Sequence, residues 1–147
     1  MADTPIPWAI LEMVQTRLRT VRRTSGSRTD AGRDVRLEPA PFDPDDAPRL
    51  TLYPLTSVFP DDARSAGERG FTFIVEALVP VRIDNAQARI VETIADIEDA
   101  LDGYAQAPLA MPLQFQESVL LDRPDGIAAM AAQVLFGTRY RRSGRVV

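Results

Sequence analysis

The chain has no cysteine, no histidine and no lysine, so all 17 of its basic side chains are arginine. Each absence removes a class of chemistry. Without cysteine there is no disulfide framework and no sign of an oxidising compartment. Without histidine and cysteine the usual zinc ligands and the commonest general base are missing. Without lysine there is neither Schiff-base chemistry nor the cation of a phosphate-binding loop. Ser25, Ser27, Ser57, Ser65, Ser118 and Ser143 therefore have no histidine or lysine base, which excludes the usual nucleophilic triads. Gly26 and Gly32 fit no GxGxxG pattern. Exclusive use of arginine points to a GC-rich genome.

Long apolar runs are also lacking. None approaches the roughly 20 residues of a membrane span. The opening Met-Ala-Asp-Thr-Pro-Ile-Pro-Trp has no basic stretch ahead of an apolar one, so no secretory signal is expected. The expected location is a cytoplasm, or a particle assembled there. Carboxylate-pair chemistry and an oxygen-ligated Mg²⁺ remain open in principle.

What is present describes a globular chain. Of 147 residues, 45% are apolar and 26% charged, too apolar for disorder. The length suits a single domain, residues 1–147, that buries about two-thirds of its unfolded surface. Trp8, Leu11, Val14, Leu18 and Val21 recur at helical spacing, predicting a helix over 7–22 behind Pro5 and Pro7. A polar loop, 24–32, follows. Val35 and Leu37 alternate with charged residues as in a short strand. Pro39, Pro41, Pro44 and Pro48 then prevent regular structure.

Residues 50–58 read as a strand that Pro54 either places at a sheet edge or ends early. After a polar loop at 60–70, strict alternation from Phe71 to Ile83 marks a long central strand, the second arm of a hairpin. Asp84 with Gln87 has the spacing of a capping box, and Gly103 stands where a helix-ending glycine belongs. Between them, Ile90, Ile94, Ile97 and Leu101 form the apolar stripe of a second helix, 85–102. Residues 113–122 read as a strand, Pro124-Asp125-Gly126 as a turn, and the alternation from Met130 to Tyr140 as a last strand, although 128–132 alone would also suit a helix. The order is α-β-β-β-α-β-β. It implies an α+β fold: a mixed, mainly antiparallel sheet of four to five strands, two helices on one face, and a half-apolar second face left for a neighbour.

Acidic groups form several clusters. Glu92, Asp96 and Asp99 are expected on the solvated face of the second helix, opposite its isoleucines. Asp43, Asp45 and Asp46, and again Asp61 and Asp62, sit in loops without the glycine and distant glutamate of a calcium loop. No metal, cofactor or catalytic residue is expected.

Charge is segregated along the chain. Residues 17–36 hold seven Arg against two Asp, residues 38–62 six acids against one Arg, and the last nine residues four Arg and no acid. A nucleic-acid reading is opposed by the net charge of −4 and by the lack of aromatics among the arginines. Head-to-tail contact between copies is the alternative, with Arg22, Arg23, Arg28, Arg33, Arg139, Arg141 and Arg142 facing Asp43, Asp45, Asp46, Asp61 and Asp62 of a neighbour. Simple clumping of surface charge is the bland reading.

The layout from the first helix, through Val35 and the acidic Pro-rich stretch to Pro48, on to a long strand ending Arg82-Ile83-Asp84-Asn85, a helix closing Ala100-Leu101-Asp102-Gly103, and a last strand ending Arg139-Tyr140-Arg141-Arg142, resembles the tail terminator proteins of long-tailed bacteriophages and phage-like particles such as gene transfer agents. The likeness covers about residues 7–142 and rests on arrangement, with no diagnostic motif. It implies a non-enzymatic virion protein, assembled in a bacterial cytoplasm, that forms a hexameric ring at the head-proximal end of the tail tube. Such a ring contacts the tail tube protein and a neck or stopper protein, and DNA passes through its lumen. A head–tail adaptor or stopper of the neck shares the same sequence character. On the terminator model the loops 24–33 and 60–70 are candidates for tube or neck contacts, and acidic groups for the channel lining, where negative charge keeps DNA from sticking.

Overall fold

A computed structural model describes residues 3–43, 46–121 and 129–142. Besides two 3-10 turns (Arg23–Ser25 and Ala31–Arg33), two helices and five strands are built from them: α1 (Ile6–Leu18), β1 (Val35–Arg36), β2 (Arg49–Val58), β3 (Glu68–Pro80), α2 (Ala86–Leu101), β4 (Gln114–Leu121) and β5 (Ala129–Arg141). The strands form one mixed sheet in the order β1-β2-β3-β5-β4. Only β1–β2 is parallel; the other three pairings are antiparallel. The expected α+β architecture is therefore present.

Alternation decides which side of the sheet is covered. Phe71, Phe73, Val75, Ala77 and Val79 lie on one face of β3, opposite Thr138, Phe136, Val134, Ala132 and Met130 of β5. With Leu50 and Leu52 of β2 they meet Ile10, Leu11, Val14 and Leu18 of α1 and Ile90, Ile97 and Leu101 of α2 in one core. Phe73 stacks on Phe136, with ring centroids 5.8 Å apart, at the centre of that layer.

Several expected boundaries move. Pro7 lies in the first turn of α1, but the helix stops at Leu18 rather than at residue 22. Val21 nevertheless stays buried, because its N–H bonds to the Leu18 carbonyl and keeps the chain against the core. The long strand runs 68–80 rather than 71–83. Pro80 ends it, and Ile83 donates to the Pro80 carbonyl in a turn. The capping box at Asp84 is not formed: Asn85 caps α2 in the left-handed conformation, φ 60°, without a side-chain bond. Gly103 does take the left-handed position that ends α2. Residues 129–132 are strand, which settles the helix–strand ambiguity there. The short strand around Val35 is only two residues long. The turn at Pro124-Asp125-Gly126 lies outside the described residues, as do Asp45, Ser143 and Arg145.

The Pro-rich stretch before β2 is a strap. Arg49, on the face away from the helices, is nearly fully buried beneath it. Its guanidinium donates to the carbonyls of Ala40 and Pro41 and lies over the Phe42 ring. Pro54 sits within β2 as the edge assignment requires. Leu50 turns its N–H outward, to the Asp34 carbonyl beside β1, so by alternation Pro54 also faces outward and owes β3 no donor. A bulge follows immediately, between Pro54 and Thr56.

Candidate assembly surfaces

The polar loop after α1 is held from below by a carboxylate. Asp96 accepts four hydrogen bonds: from the Arg28 N–H (3.1 Å), the Arg28 guanidinium (3.0 Å), the Thr29 N–H (2.8 Å) and the Thr29 hydroxyl (2.7 Å). Its side chain is only 2% exposed, against 69% for Asp99. This corrects the expectation of a solvated acidic face on α2. Asp96 lies about 100° around the helix from Ile97, not opposite it. The loop closes over that flank, so the carboxylate takes up the loop's backbone donors instead of water. Helical periodicity marks the stripe itself, and nothing in the local pattern signals that a distant loop covers its margin.

Ion pairing within the chain sorts the predicted interface residues. Arg28 is engaged by Asp96 and by Asp99 at 2.8 Å. Arg22, Arg23 and Arg33 instead gather around one acid, Asp30. The Arg23 N–H donates to Asp30 at 2.9 Å and holds its carboxyl below the usual range. Desolvation opposes this, and the positive charge of Arg33 adds to it. Three cations around one anion leave a positive patch after the C-terminal end of α1, with Arg23 and Arg33 exposed and Arg22 half-buried.

At the far end of the sheet, opposite charges predicted to meet across copies meet within one chain. Arg139 reaches Asp62 at 2.6 Å and Glu68 at 3.1 Å. The Arg139 guanidinium lowers the Asp62 carboxyl; the Arg64 N–H and then Arg139 lower that of Glu68. The Arg142 N–H donates to the Gly67 carbonyl. The loop 59–67 is thereby tied to the end of β5, where Arg141 and Arg142 are exposed. Asp61 is exposed on the loop itself, and Asp43 is exposed on the strap, where its N–H donates to Asp46.

The sheet face away from the helices carries Tyr53, Ile74, Leu78, Leu135, Val119 and Leu121, with Glu76 and Gln133 paired at its centre. Burial among these neighbours raises the Glu76 carboxyl above its ordinary value, with Arg49 acting weakly the other way. Desolvation, then Glu76, raises the Tyr53 hydroxyl. Thus the expected half-apolar second face is present, and the strap covers only its Arg49 end.

A polar cleft of about 540 Å³ opens between the end of α1, the loop and α2, lined by Arg17, Ser25, Ser27, Arg28 and Asp99 among others. Arg17 already donates to the Ala100 carbonyl and lies over the Tyr104 ring. Among the described residues no three acidic side chains converge as a metal site, and no helix is long and apolar enough to cross a membrane. The surfaces are suited to protein contact: charged patches, a partly apolar sheet face, and sheet edges.

No protein-family model matches this chain, and no curated protein does. Among solved structures, a chain from the virion of a native gene transfer agent particle is similar, with a TM-score of 0.62 at 18% identity, over 87% of this chain and 91% of that chain. A second solved structure has a TM-score of 0.51 at 14% identity, over 90% of this chain and 95% of its own. At these identities the likeness is one of fold.

Proposed function

We propose that this chain is a structural virion protein, the tail terminator of a phage-like particle. Copies form a ring, taken to be a hexamer, at the head-proximal end of the tail tube. The ring stops tube polymerisation and offers the surface to which the neck or stopper protein binds, while DNA passes through the lumen as cargo. No bond is made or broken, so the protein works by shape and charge alone.

One observation carries this reading: the fold matches a chain of a gene transfer agent virion over nearly the whole length of both. The surfaces support it. The positive patch of Arg22, Arg23 and Arg33 and the exposed acids Asp43 and Asp61 are complementary features for head-to-tail contact, and such contacts close into a ring when the rotation permits. Arg28, Arg139 and Asp62 are engaged within the chain, so they contribute less to such a contact.

Electron microscopy of particles from a strain lacking the gene tests the proposal. Overlong or uncapped tubes beside tailless heads are expected. Tails of normal length that fail to join heads would assign the chain to the neck as an adaptor or stopper. Intact particles with normal tails would overturn both.

A further inference from the structure

Among the described residues both long edges of the sheet are left open. β1 covers only Leu50 and Thr51 of β2, so the outer side of β2 from Leu52 to Val58 has no strand partner among the described residues. At the other end of the sheet, β4 pairs with β5 and has no second strand partner among the described residues. Unpaired edges of this kind template further strands unless they are blunted.

The exposed large apolar side chains concentrate on these edges. Of seven among the described residues, Leu55 and Val58 lie on β2 and Val119 and Leu120 on β4, with Phe59 directly after β2. Leu120 shares the sheet face of Ala132, the helix side, yet is 52% exposed, so the helical layer covers the Phe115 end of β4 and not its Leu120 end. The only charge on β4 is Glu117, and the strand carries no proline.

The two edges also agree in length and polarity. The free stretch of β2 is seven residues, and β4 offers six from Gln116 to Leu121 beyond the Phe115 N–H that Asp102 accepts, spans of roughly 20–23 Å at about 3.3 Å per residue. Successive antiparallel pairings from β2 through β3 and β5 leave β4 antiparallel to β2. A second copy in the same orientation, set beside the first, would therefore bring its β2 antiparallel to β4, the more stable sense of pairing. Pro54 keeps an outward carbonyl but no N–H, so the pairing register must leave no acceptor waiting opposite it.

We propose that the free edge of β4 in one copy pairs with the free edge of β2 in the next, continuing the sheet from copy to copy. The inference rests on the ring reading above and deepens it by naming the contact. It places Val119 and Leu120 beside Leu55 and Val58 of the neighbour, which covers the exposed parts of four apolar side chains. Since each copy offers one edge of each kind, the contact is heterologous and every copy in a closed ring is satisfied on both sides.

The absence of native cysteine makes the test clean. Ser57→Cys is combined in turn with Glu117→Cys, Ser118→Cys, Val119→Cys and Leu120→Cys, all at exposed positions. Particles carrying each variant in place of the natural chain are mildly oxidised and run under denaturing conditions. At least one pair is expected to give a ladder beyond the dimer, whereas any single-cysteine variant can reach only a dimer. Rings seen by microscopy with no ladder from any of the four pairs would overturn the edge contact and leave the ring reading standing. Particles with no ring of this chain at all would overturn the ring reading and the edge contact with it. Leu120→Lys should abolish ring assembly while leaving the melting temperature of the isolated chain unchanged; an unaffected ring would also overturn the inference.

Discussion

Replacing Asp96 by alanine removes the acceptor of four hydrogen bonds at a site closed to water. Arg28 keeps a partner in Asp99, so its guanidinium is not stranded. The Thr29 N–H is stranded, since Thr29 is buried and its amide has only the Asp96 carboxylate. Hydrogen bonds to a charged acceptor contribute a net of about 1.5–3 kcal/mol each, and a stranded buried donor costs about 1–3 kcal/mol. These terms overlap, so the expected destabilisation is about 3–5 kcal/mol. For a chain of this size each kcal/mol lowers the melting temperature by roughly 2–4 °C, giving a fall of roughly 6–20 °C. Asp99→Ala is the internal control: that side chain is largely exposed and makes one ion pair, worth about 0–1 kcal/mol. Urea unfolding of both variants, with hydrogen exchange at the Thr29 amide, measures the difference. If Asp96→Ala costs no more than Asp99→Ala and the Thr29 amide stays protected, the carboxylate does not hold the loop.

Gly32→Ala should cost about 2–4 kcal/mol in urea unfolding, because an added Cβ runs into the Leu18 carbonyl and lies 2.7 Å from that of Val21, and backbone cannot move aside cheaply. Gly137→Ala should be nearly neutral, since its Cβ would crowd the end of the flexible Gln116 side chain and meet backbone, the Phe71 carbonyl, only at an ordinary 3.8 Å. Glu76→Gln should raise the melting temperature at pH 7 and have little effect at pH 4. The folded-state pKa of Glu76 is raised, so its stabilising contribution is present at low pH and is lost as pH rises through that value; thermal melts at the two pH values decide it. Asp62 and Glu68 behave in the opposite sense. Their lowered pKa values make the tie of the loop 59–67 to β5 present above about pH 4 and lost as pH falls through the folded values. Arg139→Gln should move both carboxyl titrations upward by NMR, and unmoved titrations would show that Arg139 does not hold them.

Much of the architecture is local in origin, which is why it is legible in the chain. Alternation at Phe71, Phe73, Val75, Ala77 and Val79 follows directly from the two-residue repeat of a strand, and the Ile90–Leu101 stripe from the 3.6-residue turn. Pro54 had to stand at an edge or end its strand, and Gly103 stood where a left-handed helix end costs little. The missing histidine, lysine and cysteine bounded the chemistry without any geometry. Other features depended on residues far apart in sequence. Asp96 turned from a surface charge into a buried anchor because a loop 67 positions earlier folds over it. Arg139 was spent on Asp62 within the chain because the loop before β3 folds back to the end of β5, beside β3 in the sheet. Periodicities, breaks between elements and excluded chemistries can be read along the chain, since they depend on composition or on neighbours three or four residues away. Which charges are already neutralised and which strands end as open edges follows from contacts that the chain makes once it is folded.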